Sequence, residues 1–364
     1  MTFNYHDTRA MQSSPLQPAL VKLTMQHGKN LAKFTAISCG LTLLVGCHEP
    51  ESNKKRIDAA GSAVASTATA AIQEANQITI YTSTNVWGAL AKSVGGDKVK
   101  VISAVNDQSQ DPHEYQASAN DKLAVSKAQL VLVNGGGYDD WTSSLANSVA
   151  NKPVIINAVD LSGLKPAGAA TDNHANETAG EHAHHADFNE HVFFSLDTAK
   201  KVADAVANQL ASKDPDNKAK YAQNAANFNK DMDKLKAKAQ AIGQGKNLTA
   251  FTTEPVTGYL MTEMGIKDIT PAGYVEQAET DAGVSVKVLN DSKNLLTSKQ
   301  ANVIVANAQT EDATAKQLMA AAAGAGVPLV QVNETFPEGI TTYQAFIEST
   351  IDKFANALQS APKP

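Results

Sequence analysis

The chain is poor in cysteine: it has 2 in 364 residues, Cys39 and Cys47, both near its start. That excludes a thiolate metal cluster and a disulfide framework for the body of the fold. An excess of positive charge is also missing. With 31 basic residues against 37 acidic ones the formal charge is −6. No basic stripe could displace counterions from phosphates, so no nucleic-acid partner is expected. The first apolar run, Phe34 to Gly46 (FTAISCGLTLLVG), has only 13 residues. A membrane-spanning helix needs about 20, so the run is too short for one.

The run follows Lys29 and Lys33, and a positive flank before a short apolar core is the order of a signal peptide. It ends in Leu44-Val45-Gly46-Cys47, which resembles a bacterial lipobox, whose cysteine carries lipid and begins the mature protein. Residues 1–46 therefore read as a signal peptide, with Met25 an alternative start and Cys47 the lipidated residue. The plainer alternative is a cleaved signal peptide whose cysteine is incidental. After position 46 there remain 27 basic and 36 acidic residues, a charge of −9. Residues 47–77 pass through a charged patch, Glu49 to Arg56, into an Ala/Ser/Thr/Gly stretch, Ala59 to Ala71. Such side chains bury too little surface to offset ordering, so a flexible tether is expected.

At roughly 150 residues per domain, the length suggests two domains. From Ile78, short apolar strands (78–82, 98–105, 129–135, 153–157) alternate with helical patterns (86–94, 120–128, 139–149). The alternation resumes with strands at 248–252, 302–308 and 328–332 and helices at 256–264, 314–323 and 343–358. This predicts parallel sheets covered by helices, an α/β fold. QLVLVNGG (129–136) is similar to NVIVANAQ (302–309), so the halves look like related lobes. Between them, after Asp214-Pro215, Tyr221, Ala225, Phe228, Met232, Leu235 and Ala239 recur every three or four residues, predicting one long amphipathic helix. The expected architecture is two parallel-sheet α/β lobes joined by one long rigid helix. The N-terminal lobe takes residues 78–213, the linking helix 214–245 and the C-terminal lobe 246–364.

Three candidate residues stand where strands end, and a fourth, His191, stands just before a helix. His113 lies in Asp111-Pro112-His113-Glu114-Tyr115, and ligands in open α/β sheets sit beyond the carboxyl ends of strands. His191 lies in Asn189-Glu190-His191-Val192-Phe193-Phe194, Glu254 in Thr253-Glu254-Pro255, and Glu334 in Asn333-Glu334-Thr335. Each has a plainer role: a structural histidine, a cap on a short strand at His191, or a carboxylate favouring a helix dipole. Together they offer two imidazoles from one lobe and two carboxylates from the other. That set neutralises a divalent cation and fills four coordination positions, and its division between lobes lets a cleft open for release.

DPHEY (111–115), NGGGYDDW (134–141), EHVFFSLDTAKKVADAVANQL (190–210), TTEPVTGYLMTEMGI (252–266), VIVANAQT (303–310) and VNETFPEGITTYQAF (332–346) resemble the zinc/manganese substrate-binding lipoproteins of bacterial metal ABC transporters (cluster A-I type, periplasmic solute-binding family 9). The resemblance runs from about Ile78 to Leu358. It implies two lobes, a rigid linking helix and a metal cleft between them. It also implies ligand roles for His113, His191, Glu254 and Glu334, with Zn2+ (alternatively Mn2+) as transported ligand. Many zinc-type relatives have histidine where Glu254 stands, which leaves the ion open.

The resemblance further implies an ABC permease as partner, a monomeric lipid-anchored protein in the cell envelope (periplasmic or on the outer cell surface), and no enzymatic turnover. His174, His182, His184 and His185 fall in a Gly/Ala/Asn/Glu-rich insert, residues 167–189, which resembles the metal-collecting loops of zinc-binding members; a solvated loop is the alternative. Two rival functions are a surface adhesin and a metallohydrolase. The latter would need an open coordination position and a base, and no HExxH occurs. Gly135-Gly136-Gly137 fits no phosphate-binding spacing and is expected to be a tight turn.

Overall fold

Residues 77–165, 188–278 and 283–360 are described by the computed structural model. The expected signal segment, Cys47, the expected tether and the histidines at 174, 182, 184 and 185 lie outside them. In the N-terminal lobe the order along the chain is β1 (Ile78–Thr84), α1 (Asn85–Gly95), β2 (Val99–Val105), α2 (Ala119–Val125), β3 (Leu130–Val133), α3 (Asp140–Ser148), β4 (Val154–Asn157) and α4 (Ala158–Ser162). The strands form a parallel sheet in the order β2-β1-β3-β4. Next come α5 (Leu196–Lys213) and α6 (Lys218–Gly243).

The C-terminal lobe follows with β5 (Leu248–Thr252), α7 (Gly258–Glu263), β6 (Ile266–Asp268), α8 (Ala272–Ala278), α9 (Val286–Thr297), β7 (Val303–Asn307), α10 (Ala313–Ala325), β8 (Leu329–Val332) and α11 (Tyr343–Ser360). Its parallel sheet has the order β6-β5-β7-β8, the same plan as the first. The two similar segments of the sequence are β3 and β7, which hold the third place in their sheets.

Every residue of β3 and β7 is buried, as expected of strands covered on both faces. Successive side chains point to opposite faces, so each strand feeds two cores. Tyr81, Val131 and Val133 pack outward against α2 and α3 residues such as Val125 and Ala146. Phe251 and Ile304 pack outward with Leu296 and Leu318 from α9 and α10. The inward residues Ile80, Leu130 and Leu132 join Ala250, Val303 and Val305 in one core shared by both lobes. Helix α6 runs along it and buries Tyr221, Ala225, Phe228, Met232, Leu235 and Ala239, the six positions its periodicity singled out. A helix packed into both lobes makes a stiff connection.

Local chemistry sets the ends. Ser118 caps α2, and Asp121 returns the bond to complete a capping box; the helix stops at Val125, three residues before the expected end. Pro215 opens a 3-10 turn over 215–217, so α6 starts at Lys218. Helix α7 starts at Gly258, two residues later than expected, after a turn in which the Gly258 N–H donates to the Pro255 carbonyl at 3.0 Å. The segment expected as a short strand around His191 is a 3-10 turn, Val192–Phe194, whose three apolar side chains are buried. Strand β6 and helices α8 and α9 have no counterpart among the expected elements: β6 is a three-residue edge strand with one buried residue. No helix among the described residues is long and apolar enough to cross a membrane.

Candidate metal centre

Parallel strands bring all their carboxyl ends to one edge of each sheet, and the loops there face each other across the cleft. His113 follows β2. The Asp111 carboxylate accepts its backbone N–H at 2.8 Å, and Pro112 stiffens the same turn. The imidazole packs edge-on against the Tyr138 ring, 4.6 Å between centroids. His191 precedes the 3-10 turn. Asn189 Oδ1 accepts both its backbone N–H (3.0 Å) and its Nδ1–H (2.8 Å), while Asn189 Nδ2 donates to the Pro255 carbonyl. This pattern fixes the amide orientation and leaves Nε2 of the neutral ring as a lone pair.

Glu254 and Glu334 each stand two residues beyond a strand, β5 and β8. One side chain from β7 holds both: Asn307 Nδ2 donates to Glu254 Oε2 at 2.9 Å and to Glu334 Oε1 at 2.7 Å. The Thr310 hydroxyl donates to Glu254 Oε1. Gln309 Oε1 accepts the Glu334 backbone N–H at 2.7 Å, and its Nε2 donates across the cleft to the Gln110 carbonyl, just before the His113 turn. Glu334 Oε2 then lies 3.4 Å from His113 Nε2 and 3.5 Å from His191 Nε2. Glu334 is 1% exposed and His191 3%. Neither Glu334 Oε2 nor His191 Nε2 has a hydrogen-bond partner.

Burial opposes charge on these groups, and at Glu334, His113 and His191 their mutual placement overrides it. Desolvation alone would raise the Glu334 pKa, yet the two facing imidazoles hold it well below the ordinary carboxylate range. Desolvation alone would lower His113, yet Glu334, with Glu190 and Asp111 behind it, lifts it from 6.5 to about 9. His191 is raised in the same way by Glu190 and Glu334. Glu254 is raised, by burial first and then by the charge of Glu334, against its bonds from Asn307 and Thr310. The pocket therefore favours positive charge between its imidazoles and carboxylates. Two nitrogen donors, a convergent carboxylate and buried polar atoms without partners fit a divalent cation.

The structure brings His113, His191 and Glu334 to one point, with Glu254 tied to Glu334 through Asn307. It adds Glu190, unforeseen from the sequence: His113, Glu190 and His191 can each offer one ligand atom, all within 4.8 Å of one another. Asn134, Asn307 and Gln309 were also missed. Their signal was the internal similarity itself, which aligns Asn134 with Asn307 at the ends of two buried strands. Asn134 Oδ1 accepts from Trp87 Nε1 at 3.3 Å, and its Nδ2 donates to the Glu190 carbonyl at 2.8 Å. The three glycines form a tight turn with φ of 82°, 70° and 94°, closed by the Asp139 carboxylate on the N–H groups of Asn134 and Gly135.

Residues 80–357 match the family described as zinc-uptake complex component A, periplasmic (ZnuA). Among curated proteins, the zinc-binding lipoprotein AdcA of Streptococcus pneumoniae is 28% identical over 193 residues, 52% of this chain and 38% of that protein. The manganese ABC transporter substrate-binding lipoprotein PsaA of Streptococcus pneumoniae is 25% identical over 236 residues, 61% of this chain and 69% of PsaA. The chain thus spans well under half of AdcA and about two thirds of PsaA. Among solved structures, the periplasmic zinc binding protein TroA from Treponema pallidum superimposes with a TM-score of 0.61 at 17% identity, covering 78% of this chain and 99% of that one. That likeness concerns the fold.

Proposed function

The chain belongs to the ZnuA family, zinc-uptake complex component A, and on that premise we propose that it captures a divalent transition metal between its lobes and delivers it to an ABC importer. His113, His191, Glu254 and Glu334 are the ligands. The observation that carries this reading is the buried Glu334 Oε2, without a hydrogen-bond partner and 3.4 and 3.5 Å from the two imidazole nitrogens. An ion there replaces the protons that the imidazoles otherwise take up, and it supplies the partner that Glu334 Oε2 and His191 Nε2 lack. Capture and release require binding and lobe movement, with no turnover.

Zinc is the first expected ion, because imidazole suits it better than it suits the harder manganese ion. Manganese is a second reading, favoured by Glu254 standing where many zinc-type relatives have histidine. The relatives divide in the same way, AdcA being named for zinc and PsaA for manganese. Their names as lipoproteins support an extracytoplasmic place in the cell envelope, a lipid anchor at Cys47 and a permease as partner. The protein is expected to work as a monomer.

Calorimetric titration of the metal-free chain with zinc and with manganese tests the reading. His113→Ala should weaken binding by more than the roughly 10–100-fold that loss of an outer-shell partner costs. Native affinity in that variant would remove His113 from the site.

A further inference from the structure

We propose that the N-terminal lobe carries a cation half-site of its own, made of His113, His191 and Glu190, which takes the ion before the C-terminal carboxylates complete its shell. The proposal rests on the metal-binding reading above and adds an order of events to it. The three residues can present ligand atoms within 4.8 Å of one another, with no contribution from the other lobe. Ligand atoms around a tetrahedral zinc ion are separated by roughly 3.4 Å, given bonds of about 2.1 Å.

Access separates Glu190 from Glu334, while Glu254 is partly buried like Glu190. Glu334 is 1% exposed, beneath the imidazoles. Glu190 and His113 are only partly buried, so a hydrated ion meets them first. The Glu190 backbone is nonetheless fixed: its carbonyl accepts from Asn134 Nδ2 at 2.8 Å and from the Val192 N–H at 2.6 Å. Its side chain therefore moves from a set anchor beside His191.

Charge gives the sequence of events its direction. One carboxylate leaves a bound divalent ion with a residual positive charge, whereas Glu254 and the buried Glu334 together neutralise it. The transfer is a ligand exchange: the metal–oxygen bond to Glu190 breaks as bonds to the C-terminal carboxylates form. Both imidazoles stay bound, and no electron transfer is needed. Release follows the reverse order, with Glu190 holding the ion while the lobes part.

The test is zinc binding by the full chain in competition with a chromophoric chelator. The double variant Glu254→Gln/Glu334→Gln should keep one zinc, held more weakly than in the native chain. Adding Glu190→Gln should lower that residual affinity by at least about tenfold. A double variant that binds no zinc, or a triple variant that binds as the double does, overturns the half-site. If His113→Ala alone binds zinc like the native chain, the metal reading of the cleft fails instead, so the two failures are distinct. Stopped-flow mixing in an otherwise native chain gives an independent measurement, in which Glu190→Gln slows zinc association. Association at the native rate overturns the capture role, whether or not the equilibrium affinity has changed.

Discussion

Asn134 and Asn307 occupy equivalent places, at the end of the third strand of each sheet, and hold different things. Asn134 reaches the main chain of Glu190 and so sets the segment that carries His191. Asn307 reaches two side chains directly and clamps Glu254 and Glu334 with one amide. The same strand order thus presents both imidazoles from one lobe and two acids held by a single amide from the other. The scaffold is repeated, and the chemistry lies in what each loop hangs on it. Because the lobes also share a core, they are expected to differ in binding and agree in stability.

The shared core carries the largest expected effect. Phe228→Ala in α6 should cost about 3–5 kcal/mol, as removal of a buried phenyl group does. Denaturant unfolding should shift both lobes together in one transition; a lobe that melts ahead of the other would show two independent cores. Next comes the asparagine pair. Asn307→Ala should weaken zinc binding by roughly 10–100-fold, the usual cost of an outer-shell partner, and Asn134→Ala by less, because it acts through backbone. Equal losses in calorimetry would break the contrast between the lobes.

A subtler effect separates the charge from the proton. At His113 the proton sits on an imidazole of the first lobe, and the carboxylate that chiefly holds it there, Glu334, belongs to the second. Since His113 is lifted from 6.5 to about 9, zinc must displace a proton over that range, and affinity should fall as pH drops below about 9. In the metal-free chain the same shift adds stability that is complete below 6.5 and is lost as pH rises through about 9. Histidine titration by NMR should show Glu334→Gln returning His113 toward 6.5; an unmoved titration would assign the shift to another group. The smallest effect is expected at Lys236. It pairs with Asp197 of α5 at 2.7 Å and Glu263 of α7 at 3.1 Å, tying the linking helix to both sides. As a solvent-accessible network it should contribute about 0–1 kcal/mol, read as a small fall in melting temperature for Lys236→Ala.

Strand β5 was legible to the residue and α6 nearly so, because an apolar run and a six-position stripe are local patterns. Strand β6 was not: its pairing with β5 makes it a strand, and two of its three residues are exposed. The turn at His191 was mistaken for a strand because Val192, Phe193 and Phe194 favour β structure; their burial in the shared core decides their shape instead. His113, Glu254 and Glu334 stood out by chemical type and by position after a strand, and His191 by chemical type just before a helix. Glu190 did not, since its neighbour His191 accounted for the motif, and its closeness to His113 is a matter of folding.

The order of residues alone determined that parallel strands would alternate with helices and that one long helix would join the halves. These follow from periodicity and residue type, which are properties of short segments. Tertiary structure decided that one Glu334 oxygen would face both imidazoles, that a single amide would hold both acids, and that Glu190 would stand beside the pair. Those relations join residues far apart in the chain, and only the packing of two sheets onto a common helix sets the distances between them.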